Sequence, residues 1–251
     1  MRPEVFNRFE KKFILDEEVY HTFIGCLNEH GSSELYHISN IYYDTQDDLL
    51  IRKSLSKPNY KEKVRLRAYG TPSLDDFVYL EIKKKVNGLV NKRRTKMKLA
   101  EAYAFAETGY ANETMPYHNR QVLNELEVLF KRYHLIPSTV ISYDRIAYAI
   151  GDFRVTFDMG IKTRRTDLLL ESGCYGRSLI EPGIWLMEVK TSDALPIWFV
   201  HLLTMNHLVP TGFSKYGKAF LTRNAYEEMR RLKGEKATCL KPYLAPQQVG
   251  L

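Results

Sequence analysis

Cysteine is scarce in this 251-residue chain, and Cys26, Cys174 and Cys239 are widely spaced with no CxxC pair. That excludes a disulfide framework and a thiolate zinc site, and it suits a reducing compartment. Long apolar runs are also missing. The most apolar stretch, Ile197 to Val209, contains His201, Asn206 and His207 and falls short of the ~20 residues a membrane-spanning helix needs, so a core helix is expected there. The first residues, MRPEVFNRFEKKF, carry charge where a secretory signal needs an apolar stretch, so a cytoplasmic location is expected. Internal repeats, low-complexity tracts and Gly/Pro-rich linkers are absent as well. The reading is therefore one domain over 1–234 and a peripheral tail over 235–251, where Pro242, Pro246 and Gly250 break periodicity.

What is present is aromatic and basic. With 17 Tyr and 12 Phe in a 44% hydrophobic chain, a sizeable core can be buried. Lys+Arg exceed Asp+Glu by 37 to 30, a net +7 that suits an anionic ligand or nucleic acid without choosing between them. Period-two alternation near 4–14, 36–45, 61–70, 76–86, 89–98, 139–149, 152–163 and 184–191 predicts eight strands. Helical spacing predicts helices near 16–30, 99–109, 119–134, 194–208 and 214–233. Asn87-Gly88 and Gly151-Asp152 read as tight hairpin turns between antiparallel strands, and Tyr69-Gly70-Thr71-Pro72 as a longer connection.

Side chains alternate between the faces of a strand, so each charged row shares one face. Lys63, Arg65 and Arg67 lie opposite Val64, Leu66 and Ala68. Glu81, Lys83 and Lys85 lie opposite Leu80 and Ile82; Arg8, Glu10 and Lys12 lie opposite Phe9 and Phe13. Arg154 and Asp158, then Glu188 and Lys190, repeat the pattern, with Lys92, Arg94, Lys96 and Lys98 as a further row and Arg145 two residues after Tyr143. One reading is an open sheet with a solvated face. Against it, cations on one face of nearly every strand repel across the ladder, and something anionic between them relieves that repulsion. A closed antiparallel barrel of about eight strands, a tunnel flanked by helices in an α+β fold, gives the rows a common interior. Phe23, Ile24 and Leu27, with Val122, Leu126, Leu129 and Phe130, then cover the apolar outer face.

The ordered set RFEKKF (8–13), YYDT (42–45), VRLRAYG (64–70), LEIKKK (80–85), SYDRIAY (142–148), FDMGIKTRR (157–165), LMEVK (186–190) and FSKYGKAF (213–220) resembles the polyphosphate polymerase domain of vacuolar transporter chaperone complexes, one of the triphosphate tunnel metalloenzymes. The resemblance implies phosphate grips at Lys12, Arg65, Arg67, Lys83, Arg145, Lys190 and Lys215, with Arg164 as an addition, and Mn²⁺ or Mg²⁺ on Glu188. The face rows add Arg8, Lys63, Lys85, Arg94 and Arg154 to the phosphate set and Glu10, Glu81 and Asp158 as further metal ligands. Arg65, Arg67, Lys83, Arg145, Glu188 and Lys215 form the expected catalytic set. The blander readings are a solvated helix-start lysine for Lys215 and a structural ion pair with Lys190 for Glu188.

Hydrolytic members of that superfamily begin Glu-x-Glu-x-Lys, whereas this chain has Arg8-x-Glu10-x-Lys12, which leans toward polymerisation from a nucleoside triphosphate, ATP first, into inorganic polyphosphate. Three alternatives stand beside it: a triphosphatase of the same fold, a non-catalytic polyphosphate-binding module, and nucleic-acid binding. The last has only Tyr60 and Tyr69 near the VRLR strand as stacking groups.

Overall fold

The computed structural model describes residues 9–232 apart from 88, 112 and 193. Arg8 and the tail over 235–251 lie outside the described residues. Eight strands alternate as the periodicity predicts: β1 (Phe9–Leu15), β2 (Ser33–Asp44), β3 (Tyr60–Tyr69), β4 (Phe77–Val86), β5 (Leu89–Lys98), β6 (Ile136–Ile150), β7 (Phe153–Arg164) and, after the two-residue β8 (Arg177–Ser178), β9 (Trp185–Thr191). All pair antiparallel in the order β1-β9-β7-β6-β2-β3-β4-β5, with β8 attached to β7. The turns follow from local chemistry. Val86 pairs with Leu89 around Asn87, whose positive φ of 48° asparagine tolerates, and Ile150 pairs with Phe153 around Gly151 at φ 58°.

Six helices are present among the described residues. Helix α1 (Glu17–His30) starts where Asp16 accepts a hydrogen bond from Val19 N at 2.9 Å, and it buries Tyr20, Phe23 and Leu27 at three- and four-residue spacing. The seven-residue α2 (Leu49–Leu55) was not expected. It forms because Asp44 accepts from the Leu50 and Ile51 amides at 2.7 and 3.0 Å, satisfying donors at its start. α3 (Leu99–Thr108) and α4 (Arg120–Tyr133) cover the outer face of β3–β5, where Val64, Leu66, Leu80 and Ile82 meet Phe105, Leu126, Leu129 and Phe130. α1 and α5 (Ile197–Met205) cover β1, β9 and β7 through Phe23, Phe157, Met187 and Phe199. α5 is shorter than the expected 194–208, since Pro196 precedes it, and it buries only Phe199 and Leu203 while Ile197 and Met205 stay exposed. No helix among the described residues is long and apolar enough to cross a membrane.

The closed barrel requires correction. The hydrogen-bonded path runs from β1 to β5 and does not join them among the described residues. At β1 the chain before Lys215 comes alongside instead: Thr211 N donates to Lys12 O at 2.7 Å. The sheet nonetheless curls enough to bring β4 within side-chain reach of β1: Lys83 Nζ lies 3.8 Å from Glu10 Oε2. A tunnel-like interior thus forms by side-chain contact across an open seam. α6 (Lys215–Leu232) stops one part of it, with Tyr216 stacked on Tyr42 at a centroid distance of 4.5 Å and Phe220 packed nearby.

Candidate functional site

The register places the charged rows on the concave face. Arg65 stands opposite Glu81, Lys63 opposite Lys83, Arg145 opposite Asp158, and Lys12 opposite Glu188, each pair on adjacent strands. Three linked clusters result. In the first, Lys12 Nζ lies 3.2 Å from Glu10 and 4.0 Å from Glu188, while Lys190 contacts Glu188 and lies 3.9 Å from Glu10. Lys12 Nζ also donates to Phe213 O at 3.1 Å.

The second cluster centres on the buried Glu81. Arg65 Nε donates to Glu81 Oε2 at 2.7 Å, Lys92 Nζ lies 2.6 Å from the other oxygen, and Arg67 is 4.0 Å away. Arg67 is itself aimed by Asn40 Oδ1 at 2.9 Å and the Tyr143 hydroxyl at 3.3 Å; Tyr42 OH accepts from Arg65 at 3.2 Å. In the third, Arg145 holds both oxygens of Asp158 at 2.5 and 2.8 Å, and Lys215 pairs with the same carboxylate. Lys215 opens α6, where Ser214 Oγ accepts from Gly217 N at 3.2 Å as an N-cap and also from Lys63 Nζ at 3.0 Å.

Electrostatics follow from the excess of cations. Burial raises the Glu188 carboxyl, but Lys190, Lys12 and Arg145 outweigh it and hold it well below the usual range. Glu10 and Asp158 are depressed against burial in the same way, by Lys83, Lys12 and Lys190 and by Lys215 and Arg145, and Glu81 falls to about 2 against its burial through Arg65, Arg67 and Lys92. Burial pulls Lys63 down to about 8, with Lys83 and Lys12 adding repulsion, and pulls Lys92 to about 8 despite Glu81. Lys83 is lowered likewise, and the Tyr42 hydroxyl comes down to about 8 because Arg65, Lys63 and Arg67 overcome its burial.

These shifts predict a pH dependence. Lysines depressed in the folded protein shed protons first, so the unfolded chain binds more protons between about pH 8 and 10.5 and the empty protein gains stability as pH rises through that window. Anion binding runs the opposite way, since a polyanion favours the charged ammonium groups. Affinity for long polyphosphate, whose interior groups keep a fixed charge, is expected to fall at least about tenfold from pH 7 to 9.5 as charge-assisted contacts are lost. Calorimetry at pH 8.5 in buffers of different ionisation enthalpy should register proton uptake on binding; a flat profile with no uptake would place the anion elsewhere.

Several expected residues stand apart from these clusters. Arg164 is a structural pin: it donates to the carbonyls of Asp167, Leu169, Gly173 and Tyr175, leaving its guanidinium committed to the β7–β8 loop. Arg94 is exposed over the Tyr79 ring at 4.5 Å, Arg154 donates to the Tyr36 hydroxyl at 2.9 Å, and Lys85 faces Lys61 at the end of the β3–β4 ladder. Glu81 and Asp158, expected as further metal ligands, are the counter-ions of Arg65 and Arg145. Sequence reasoning missed Lys92 as a contact of Glu81, although its row was visible, and missed Asn40, Tyr42 and Tyr143, which look like ordinary strand residues.

No three His, Cys, Asp or Glu side chains gather around a metal position among the described residues. Glu10 and Glu188, both reached by Lys12 and Lys190, remain as a two-carboxylate oxygen donor set. That set fits a hard divalent cation, which takes one or two carboxylates when phosphate oxygens fill its other positions.

The sheet is antiparallel and curled, with a basic concave face and α1, α3, α4 and α5 packed on its outer face. The VTC domain family model matches residues 4–223, and the chain belongs to that family. No curated protein matches the sequence. Among solved structures, a candidate adenylyl cyclase from Hippeastrum described as having a dominant triphosphatase activity is similar, with a TM-score of 0.53 and 14% identity over 91% of this chain and 97% of that one. A candidate adenylate cyclase from Bacillus halodurans gives a TM-score of 0.45 and 12% identity over 93% and 92%.

Proposed function

We propose that this chain is a metal-dependent polyphosphate polymerase that transfers the terminal phosphate of a nucleoside triphosphate, ATP foremost, to an inorganic polyphosphate chain held in the basic interior. One observation favours this over hydrolysis. The four carboxylates of the cation clusters, Glu10, Glu81, Asp158 and Glu188, are held below their ordinary range by neighbouring cations. None is poised to take a proton from water at neutral pH. A terminal phosphate oxygen already carries its charge and needs no base.

In the proposed reaction that oxygen attacks the γ-phosphorus, the bond to the bridging oxygen breaks, and the nucleoside diphosphate departs with the electron pair. Lys12, Lys83 and Lys190 hold one stretch of phosphate, Arg65 and Arg67 another, and Arg145 and Lys215 the third, so donor and acceptor are aligned and their charge is neutralised as the cations exchange carboxylate for phosphate partners. Mn²⁺ or Mg²⁺ on Glu188 and Glu10 would supply further neutralisation of the transferring group.

Products from ATP with Mn²⁺ or Mg²⁺ test this. Chains resolved on a gel, with a stoichiometric nucleoside diphosphate and little free phosphate, are the expected result. Free phosphate without chains would instead assign hydrolysis, the activity described for the Hippeastrum protein. No turnover would assign a binding module.

A further inference from the structure

On the opposite face of the sheet from the basic interior, three side chains meet that the phosphate chemistry does not use. His37 on β2 and Asp144 on β6 are register partners, and Cys174 comes from the loop joining β7 to β8. His37 Nδ1 lies 2.7 Å from Asp144 Oδ1, and His37 Nε2 lies 2.6 Å from Cys174 Sγ. Ser39 Oγ sits 3.2 Å from the same ring nitrogen and 3.8 Å from the sulfur.

Tautomer logic fixes the roles. An ionised carboxylate only accepts, so Nδ1 carries the ring proton toward Asp144, and the Nε2 lone pair faces the thiol. The loop is held in place by the four carbonyl contacts of Arg164 and by Lys162 Nζ, 3.4 Å from Cys174 O. Among the described residues, Lys162 and Arg164 thus reach carbonyls at and beside Cys174, and Asp144 reaches His37. Asp144 is half exposed and both Cys174 and His37 are partly exposed, so a small reagent can reach the group.

We propose that Cys174, with His37 as its base and Asp144 as the residue that orients His37, is a nucleophilic thiol site that takes up a small-molecule disulfide by thiol–disulfide exchange. As Sγ attacks, its proton passes to His37 Nε2. The new bond joins Sγ to one reagent sulfur, the reagent S–S bond breaks, and the departing sulfur leaves with the electron pair and takes the proton from His37. The disulfide itself is the oxidant, and a second thiol is the reduced product.

Cys26, on α1, is an internal control, because burial and then Glu29 push its thiol up. With the intact protein and oxidised glutathione at pH 6.5, followed by peptide mass spectrometry, Cys174 should be thiolated at least about tenfold faster than Cys26. His37→Gln should slow Cys174 at least about tenfold at pH 6.5, with the rate recovering as pH rises and hydroxide replaces the imidazole as base. A merely structural role would leave that pH profile unmoved. Asp144→Asn, at a half-exposed position, carries the same test if His37→Gln fails to fold. Equal rates for Cys174 and Cys26, or a variant with the parent's rate and pH profile, would overturn the proposal.

Discussion

Glu188→Gln is expected to reduce chain growth from ATP at least about 100-fold, the scale on which one electrostatic element of a phosphoryl-transfer site counts. The substitution keeps volume and removes the charge set between Lys190, Lys12 and Arg145. It should also lower the melting temperature of the empty protein. Removing one partner of a buried pair costs roughly 3–5 kcal/mol, and the value here is smaller because Lys12 and Lys190 keep 24% and 32% exposure and are partly screened. The sign with pH is definite. Glu188 is depressed in the folded state, so its contribution is present above its ordinary value of 4.5 and is lost as pH falls. The gap between parent and variant should therefore close in acid. Polyphosphate should raise the variant's melting temperature more than the parent's, since it replaces the missing negative charge. Full activity in the variant would remove Glu188 from the mechanism.

Arg145→Met should have the largest effect on stability. Asp158 is fully buried, and the substitution removes both of its arginine hydrogen bonds, leaving Lys215 as its remaining cation in the cluster. A loss of about 3–5 kcal/mol in urea unfolding is expected. Arg145→Met combined with Asp158→Asn should recover at least about half of it, because an uncompensated buried charge costs more than a missing pair. Chain growth should stay lost in both. A cost under about 1 kcal/mol for the single change would mean that this end of the interior is solvated like a surface pair.

Much of this architecture is legible in the sequence because strand alternation is a local signal. The rows Lys63-Arg65-Arg67 and Glu81-Lys83-Lys85 declare their face by period two alone, and Asn87-Gly88 declares their antiparallel neighbour. Closure was not legible: whether β1 meets β5 or the chain around Thr211 and Phe213 depends on contacts between residues far apart in sequence, 201 positions for Lys12 and Phe213, and no local pattern encodes them. The same holds for Arg164. Its sequence context matches that of the other basic residues, but its partners are loop carbonyls that come into reach only when the β7–β8 loop folds back. Tyr42 and Tyr143 look like ordinary strand residues in the sequence, and only the folded sheet brings Arg65 and Arg67 to their hydroxyls.

The position of a bound phosphate chain is the most direct test of the central claim. A structure determined with tripolyphosphate and Mn²⁺ should show the phosphorus atoms inside the curled sheet, between Lys12, Lys83 and Lys190 on one side and Arg65, Arg67 and Arg145 on the other, with the metal on Glu188. Tripolyphosphate bound only on the outer surface, with the interior side chains still paired to Glu10, Glu81, Asp158 and Glu188 as they are here, would contradict the account.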